Sequence, residues 1–258
     1  MAQHGLAFVL AILAWWTSTG AIDMLCALPR QTFGWSMACA TLALAAAIYG
    51  LFHSAWDTGA SAVYVAFLSA IGVWGWIEMS FLMGFVTGPR TTACPAGATG
   101  WRRFRLALQT VLYHEIAIFT AGIGVVALTW KAPNQTGTFA FLILMAMRIS
   151  AKLNIFLGVP NLTDEMLPER LAYLKSYFRK CEVNLLFPVS VGLSSLAALV
   201  LAQQAFVADG ARAVGLALLF TLLALAILEH FFMIMPLPDA ILWRWALPLP
   251  KRTEKPLQ

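Results

Sequence analysis

Residues 213–235 read AVGLALLFTLLALAILEHFFMIM, and their only ionisable side chains, Glu229 and His230, lie near the C-terminal end. As an α-helix rising 1.5 Å per residue, this stretch is about 35 Å long and can cross the roughly 30 Å hydrocarbon core of a bilayer. Working back toward the N-terminus, apolar runs ended by proline, glycine or charge recur at 6–28, 34–56, 60–86, 106–130, 137–158 and 184–207. The expected fold is all-α: a polytopic integral membrane helix bundle of about seven transmembrane helices.

Composition points the same way. Of 258 residues, 60% are hydrophobic and 11% charged, whereas a soluble domain carries roughly 25% charged residues. Mean hydropathy is +0.77. No stretch is polar enough to fold as a second, water-soluble domain, so 1–258 is read as a single transmembrane domain in contact with the lipid bilayer. The first run has no lysine or arginine before Arg30 and is too long for a typical signal peptide, so it is expected to persist as the first helix.

The net charge of +5 does not call for nucleic acid, because the position of the cations gives a simpler account. Arg30 follows the first run; Arg90, Arg102, Arg103 and Arg105 follow the third; Arg170, Lys175, Arg179 and Lys180 follow the fifth; Arg244, Lys251, Arg252 and Lys255 follow the seventh. Only Lys131 and Arg212 fall in loops on the other side, and Arg148 and Lys152 lie inside the fifth run. Cytoplasmic loops hold the excess of lysine and arginine. The N-terminus is therefore expected to be periplasmic and the tail, 236–258, cytoplasmic. Cys26, Cys39, Cys94 and Cys181 form no C-x-x-C pair and fall near the reducing side, where disulfides are rare.

Two segments look interfacial. In the long loop 159–183, Leu167, Leu171, Leu174 and Phe178 recur at helical spacing beside Lys175, Arg179 and Lys180, which predicts a helix on the cytoplasmic interface. Trp243, Arg244 and Trp245 together predict an aromatic and cationic anchor. Gly84, Gly88 and Pro89 read as a helix end and turn.

Ionisable residues within a span cost free energy and call for a partner or a purpose. Glu78, His114, Glu115, Arg148, Lys152, Glu229 and His230 all do so. Counted along their runs, they fall about 10–15 Å below the cytoplasmic boundary and share one layer. Three readings of that layer stand side by side. It is an ion-pair network that locks helix packing; or a ligand site in which a histidine serves as axial ligand to a tetrapyrrole; or a carboxylate and histidine metal site built from Glu78, His114, Glu115, Glu229 and His230. The last is disfavoured, since the adjacent pairs His114-Glu115 and Glu229-His230 point about 100° apart on a helix. There is no Walker loop, no G-x-S-x-G and no H-E-x-x-H.

Trp74-Gly-Trp-Ile-Glu78, Thr87-Gly-Pro-Arg90, Tyr113-His-Glu115, Arg148-Ile-Ser-Ala-Lys-Leu-Asn154 with Leu157-Gly-Val-Pro160, Phe187-Pro-Val-Ser190, and Leu228-Glu-His230 with Pro236-Leu-Pro-Asp-Ala240 stand together in this chain. They resemble the photosynthetic complex assembly proteins of the PuhE type, with a weaker match at Trp15-Trp16-x-Ser18-Thr19-Gly20. The resemblance implies a multi-pass protein of the bacterial inner or intracytoplasmic membrane. It would act in assembly of the reaction centre and light-harvesting core, or in bacteriochlorophyll supply, with core-complex subunits or pigment-synthesis proteins as partners. It implies no catalytic mechanism. It adds Asn154 to the candidate residues and leaves a membrane-bound metal-dependent enzyme of tetrapyrrole metabolism as the rival expectation.

The charge asymmetry makes a direct prediction. Alkaline phosphatase fused after Thr58 or Asn134 should be active, and fused after Arg103 or Lys255 inactive; activity at Arg103 would overturn the seven-span topology.

Overall fold

Long apolar runs form helices in lipid because only a helix satisfies its own backbone polar groups there. In the computed structural model, which describes residues 2–162, 167–235, 242, 243, 245 and 246, seven helices are long and apolar enough to cross a membrane. They are α1 (Ala2–Ala27), α2 (Phe33–Ala55), α3 (Ala60–Leu82), α4 (Gly100–Leu128), α5 (Thr136–Leu157), α6 (Leu186–Val207) and α7 (Gly210–Phe232). The sequence placed every one, with boundaries displaced by up to six residues. Helix α3 stops at Leu82, short of residue 86, and α4 starts at Gly100, six residues before the predicted start at 106.

Helices α3 and α7 are the most enclosed. Helix α2 packs on α3, α6 on α7, and α1 and α5 each touch both. The core between them is built from fully buried Phe67, Phe141, Leu218 and Leu222. On the outer helices the pattern is inverted relative to a soluble protein: Leu42, Ile123 and Leu193 are more than 60% exposed, as suits side chains facing lipid.

The helix ends are closed differently at the two ends of the bundle. Where α1, α3 and α5 finish, arginines take the open carbonyls. Arg170 donates to the carbonyls of Leu82 and Cys26 at 2.8 and 2.9 Å and lies over the Phe33 ring. Burial draws the Arg170 pKa down from its usual value, without loss of charge for so basic a group. Arg103 donates to the Phe156 carbonyl at 3.1 Å. Asn161 and Asn184 share this work there, donating to the Phe232 and Gly158 carbonyls, and at the opposite end amides do it alone: Asn134 donates to the Ser54 carbonyl and Gln135 to those of Thr129 and Ala132. A cation at a helix C-terminus is favoured by the helix dipole as well as by the hydrogen bond.

The long loop departs from the predicted interfacial helix. Residues Glu169–Tyr177 form a 3-10 helix, in which every third side chain lies on one face. Leu171, Leu174 and Tyr177 are buried by that repeat, and Leu171 and Leu174 pack on Phe81. The apolar face thus meets protein. The tail anchor departs too. Trp243 is only 5% exposed, stands edge-on to Trp15 at 5.2 Å and donates to the Trp16 carbonyl, while Trp245 stands edge-on to Trp16. These rings cover α1. Arg244, Pro236–Ile241 and the residues after Ala246 lie outside the described residues.

Helix α3 is ended by Gly84, as the sequence predicts, and the chain then takes a course that the sequence does not announce. Gly84, at φ +82°, closes the helix: its N–H bonds the Phe81 carbonyl and the Phe85 N–H bonds that of Ser80, the paired closure typical of a glycine in the left-handed region. The next residues lie on α4. The His114 N–H donates to the Thr87 carbonyl at 3.0 Å, and the Arg90 N–H to the Gln109 carbonyl at 3.3 Å. Gly88 is the point of closest approach, since a Cβ there would collide with the Gln109 carbonyl oxygen. Non-helical backbone is tolerated at membrane depth only where protein surrounds it.

Gly88→Ala should therefore destabilise the protein by about 1–3 kcal/mol, read as a lowered melting temperature of the purified protein in detergent. Gly192→Ala, where an added Cβ meets nothing within 4 Å, should not. Equal melting for both would contradict the close approach.

Candidate functional site

Helix α5 carries two polar faces because its polar residues fall in two i, i+4 pairs. Arg148 and Lys152 share one face and Ser150 and Asn154 another. The charged face meets α3 and α4. Arg148 Nη2 donates to Glu78 Oε2 at 2.8 Å, and Lys152 Nζ to Glu115 Oε1 at 2.6 Å. His114, fully buried on α4, lies with Nε2 3.9 Å from Glu78 Oε1, beyond hydrogen-bond range. The Phe81 ring stacks against the imidazole at 4.3 Å, and Lys152 Nζ stands 6.0 Å from the centre of that ring. Neither ring nitrogen of His114 has a protein hydrogen-bond partner, nor has Glu78 Oε1 or Arg148 Nε.

The uncharged face of α5 meets α7 and α6. His230, 2% exposed, lies 2.9 Å from Ser150 Oγ through Nε2 and 2.9 Å from the Ala226 carbonyl through Nδ1. Asn154 is wholly buried, donates to the Ser150 carbonyl at 3.0 Å and comes within 3.4 Å of Ser190 Oγ. Its own carbonyl accepts from Asn184, so it joins α5, α6 and the long loop.

Glu229 lies beside this network, within reach of the charges of Arg148 and Glu78, but its hydrogen bond is made elsewhere. It faces α1, exposed at the protein surface, and its Oε1 accepts from Trp15 Nε1 at 2.6 Å. The adjacent pairs diverge as helix geometry requires. His114 turns to Glu78 and Glu115 to Lys152; Glu229 turns to Trp15 and His230 to Ser150. The structure places Glu78, His114, Glu115, Arg148 and Lys152 of the expected layer together. Sequence reading missed Trp15, Ser150 and Phe81, although Trp15 stood within the weaker span-one motif.

In this layer the side chains pair with one another rather than around a common point. Among the described residues no three His, Cys, Asp or Glu side chains converge on a point that could hold a metal; Glu78, Glu115 and Glu229 each accept from a donor of their own. A tetrapyrrole needs an open imidazole nitrogen and room for a flat macrocycle. His114 is 0% exposed behind Phe81, and both nitrogens of His230 are engaged. What the residues build is an ion-pair network across α3, α4 and α5, with a side chain of Arg148 that remains 38% exposed.

The class so defined is a seven-helix membrane protein held by a buried ion-pair layer. Its sequence matches, over residues 1–254, the family described as Protein of unknown function (DUF3623), and the chain belongs to that family. It is 41% identical over 246 residues to the "Uncharacterized 30.4 kDa protein in puhA 5′ region" of Rhodobacter capsulatus, covering 92% of this chain and 88% of that protein. No solved structure matches.

The network makes a prediction of its own. Arg148→Met leaves Glu78 without its cation and should cost on the order of 3 kcal/mol, while adding Glu78→Gln should recover at least part of the loss. Thermal melting of the single and double variants measures both. A strictly additive double variant would show that the two side chains are not coupled.

Proposed function

We propose that this protein acts in assembly of the bacterial photosynthetic reaction centre and light-harvesting core, or in supplying bacteriochlorophyll to it. The observation that carries this reading is the relative in the puhA 5′ region of Rhodobacter capsulatus, alike over nearly the full length of both chains. The resemblance to PuhE-type assembly proteins supports it. Its place would be the bacterial cytoplasmic or intracytoplasmic membrane, with the N-terminus periplasmic and the arginine-capped end cytoplasmic, as the distribution of lysine and arginine favours.

In this reading the contact with pigment or partner helices runs through the polar groups that the bundle leaves accessible. These are Glu229, anchored by Trp15 on one oxygen, and the exposed part of Arg148. A carboxylate and a guanidinium at the edge of a membrane bundle can bond the carbonyl and amide groups of a pigment or of a neighbouring helix. His114 and His230 serve the fold, since both are enclosed.

Deletion of the gene in a phototrophic host should lower near-infrared core-complex absorbance, and the wild-type gene should restore it. Glu229→Gln should restore the protein but not the complex. His114→Gln and His230→Gln should lower the abundance of the protein itself. Normal absorbance in the deletion strain would sink the assembly role; full restoration by Glu229→Gln would sink this site for it.

A further inference from the structure

Where α4 begins and α5 ends, the fold gathers cations that serve no internal contact. Arg103 fixes this corner: besides the Phe156 carbonyl it donates to the Tyr177 carbonyl at 2.5 Å and stacks over the Phe156 ring at 4.2 Å. Its neighbours Arg102 and Arg105, one turn apart on α4, are exposed. The Arg179 N–H donates to the Ile155 carbonyl and the Arg179 carbonyl accepts from Val159, so Arg179 and Lys180 are held at the end of α5. Both are exposed. None of these four cations has a carboxylate partner among the described residues; Glu182, exposed at the same corner, forms no ion pair with them.

The corner also carries apolar groups suited to a bilayer boundary. Trp101, 69% exposed, stacks on Phe104 at 5.0 Å, and Phe104 stands edge-on to Phe156. Val183 and Leu185 are 47% and 89% exposed where the chain enters α6. Indole rings favour the headgroup level, and basic residues beside them meet anionic headgroups.

We propose that Arg102, Arg105, Arg179 and Lys180, with Trp101, form a binding site for the headgroup of an anionic phospholipid. The headgroup phosphate meets guanidinium groups held on a rigid frame, since Arg103 ties α4, α5 and the 3-10 helix together at this point. The acyl chains descend beside Trp101 and Leu185. A cation near an anionic membrane surface contributes roughly 1 kcal/mol, on the order of fivefold in affinity.

The test is native mass spectrometry of the purified full-length protein in a nonionic detergent, titrated with phosphatidylglycerol or with phosphatidylcholine. Wild-type protein should hold phosphatidylglycerol at a concentration at least about tenfold lower than phosphatidylcholine. The preference should shrink with added salt. It should vanish when Arg102→Gln, Arg105→Gln, Arg179→Gln and Lys180→Gln are combined. Should that variant fail to fold, Arg102→Gln with Arg105→Gln should still lose most of the preference at an unchanged melting temperature. Equal retention of the two lipids by wild-type protein would overturn the proposal, as would an undiminished preference in the folded variants. Displacement of the lipid by an equal concentration of inorganic phosphate would assign the corner to a free anion and overturn it too.

Discussion

The contact on which this bundle turns is the ion pair between Glu78 on α3 and Arg148 on α5. An unpaired charge at this depth is unstable, and an ion pair in a low-dielectric interior is worth keeping only with good geometry. The pair therefore fixes the rotation of both helices, since turning either by one residue moves its charge by about 100°. Once α5 is so turned, Lys152 is aimed at Glu115 on α4, and Ser150 and Asn154 are aimed at α7 and α6. One helix thus sets the register of four others.

The second organising constraint is the disposal of helix-terminal carbonyls. Arginines and asparagines receive them at one end and amides alone at the other, so cations at the edges of the spans hold loops to helix ends. Arg103 and Arg170 each bind two carbonyls from different segments. Their loss would loosen connections, an effect distinct from any change in topology. The exposed cations beside them are free of that duty, which is why the two groups of arginine differ in role although the sequence presents them alike.

The seven helices and the composition of the charged layer were legible in the sequence because both follow from the cost of polar groups in hydrocarbon, which leaves a mark at each position. What was not legible depends on contacts between distant segments. Nothing in Thr87-Gly-Pro-Arg90 says that Gly88 lies against α4 rather than in a simple turn. Counting depth put Glu229 level with the layer, near Arg148 and Glu78, but depth does not give azimuth, and α7 turns its hydrogen-bonding oxygen toward Trp15. The spacing of Leu171 and Leu174 suits either helical repeat, and only the addition of Tyr177 three residues on selects the 3-10 form. The tail tryptophans were read as an interfacial anchor from Trp243, Arg244 and Trp245 standing together, whereas α1 offers them a groove at Gly20, where an added side chain would meet the Trp245 ring.

That groove joins opposite ends of the polypeptide. Trp15 and Trp16 precede their partners Glu229, Leu242 and Trp243 by more than 200 positions. Contacts so distant along the chain form late, after the entropy of closing a long loop has been overcome. The first span must therefore enter the membrane with its indole N–H groups and its Gly20 notch uncovered, and it waits for the remainder of the protein. Closure of the first helix by residues 242–245 is thus among the last contacts to form, and until then the opening span shows an open polar and aromatic seam.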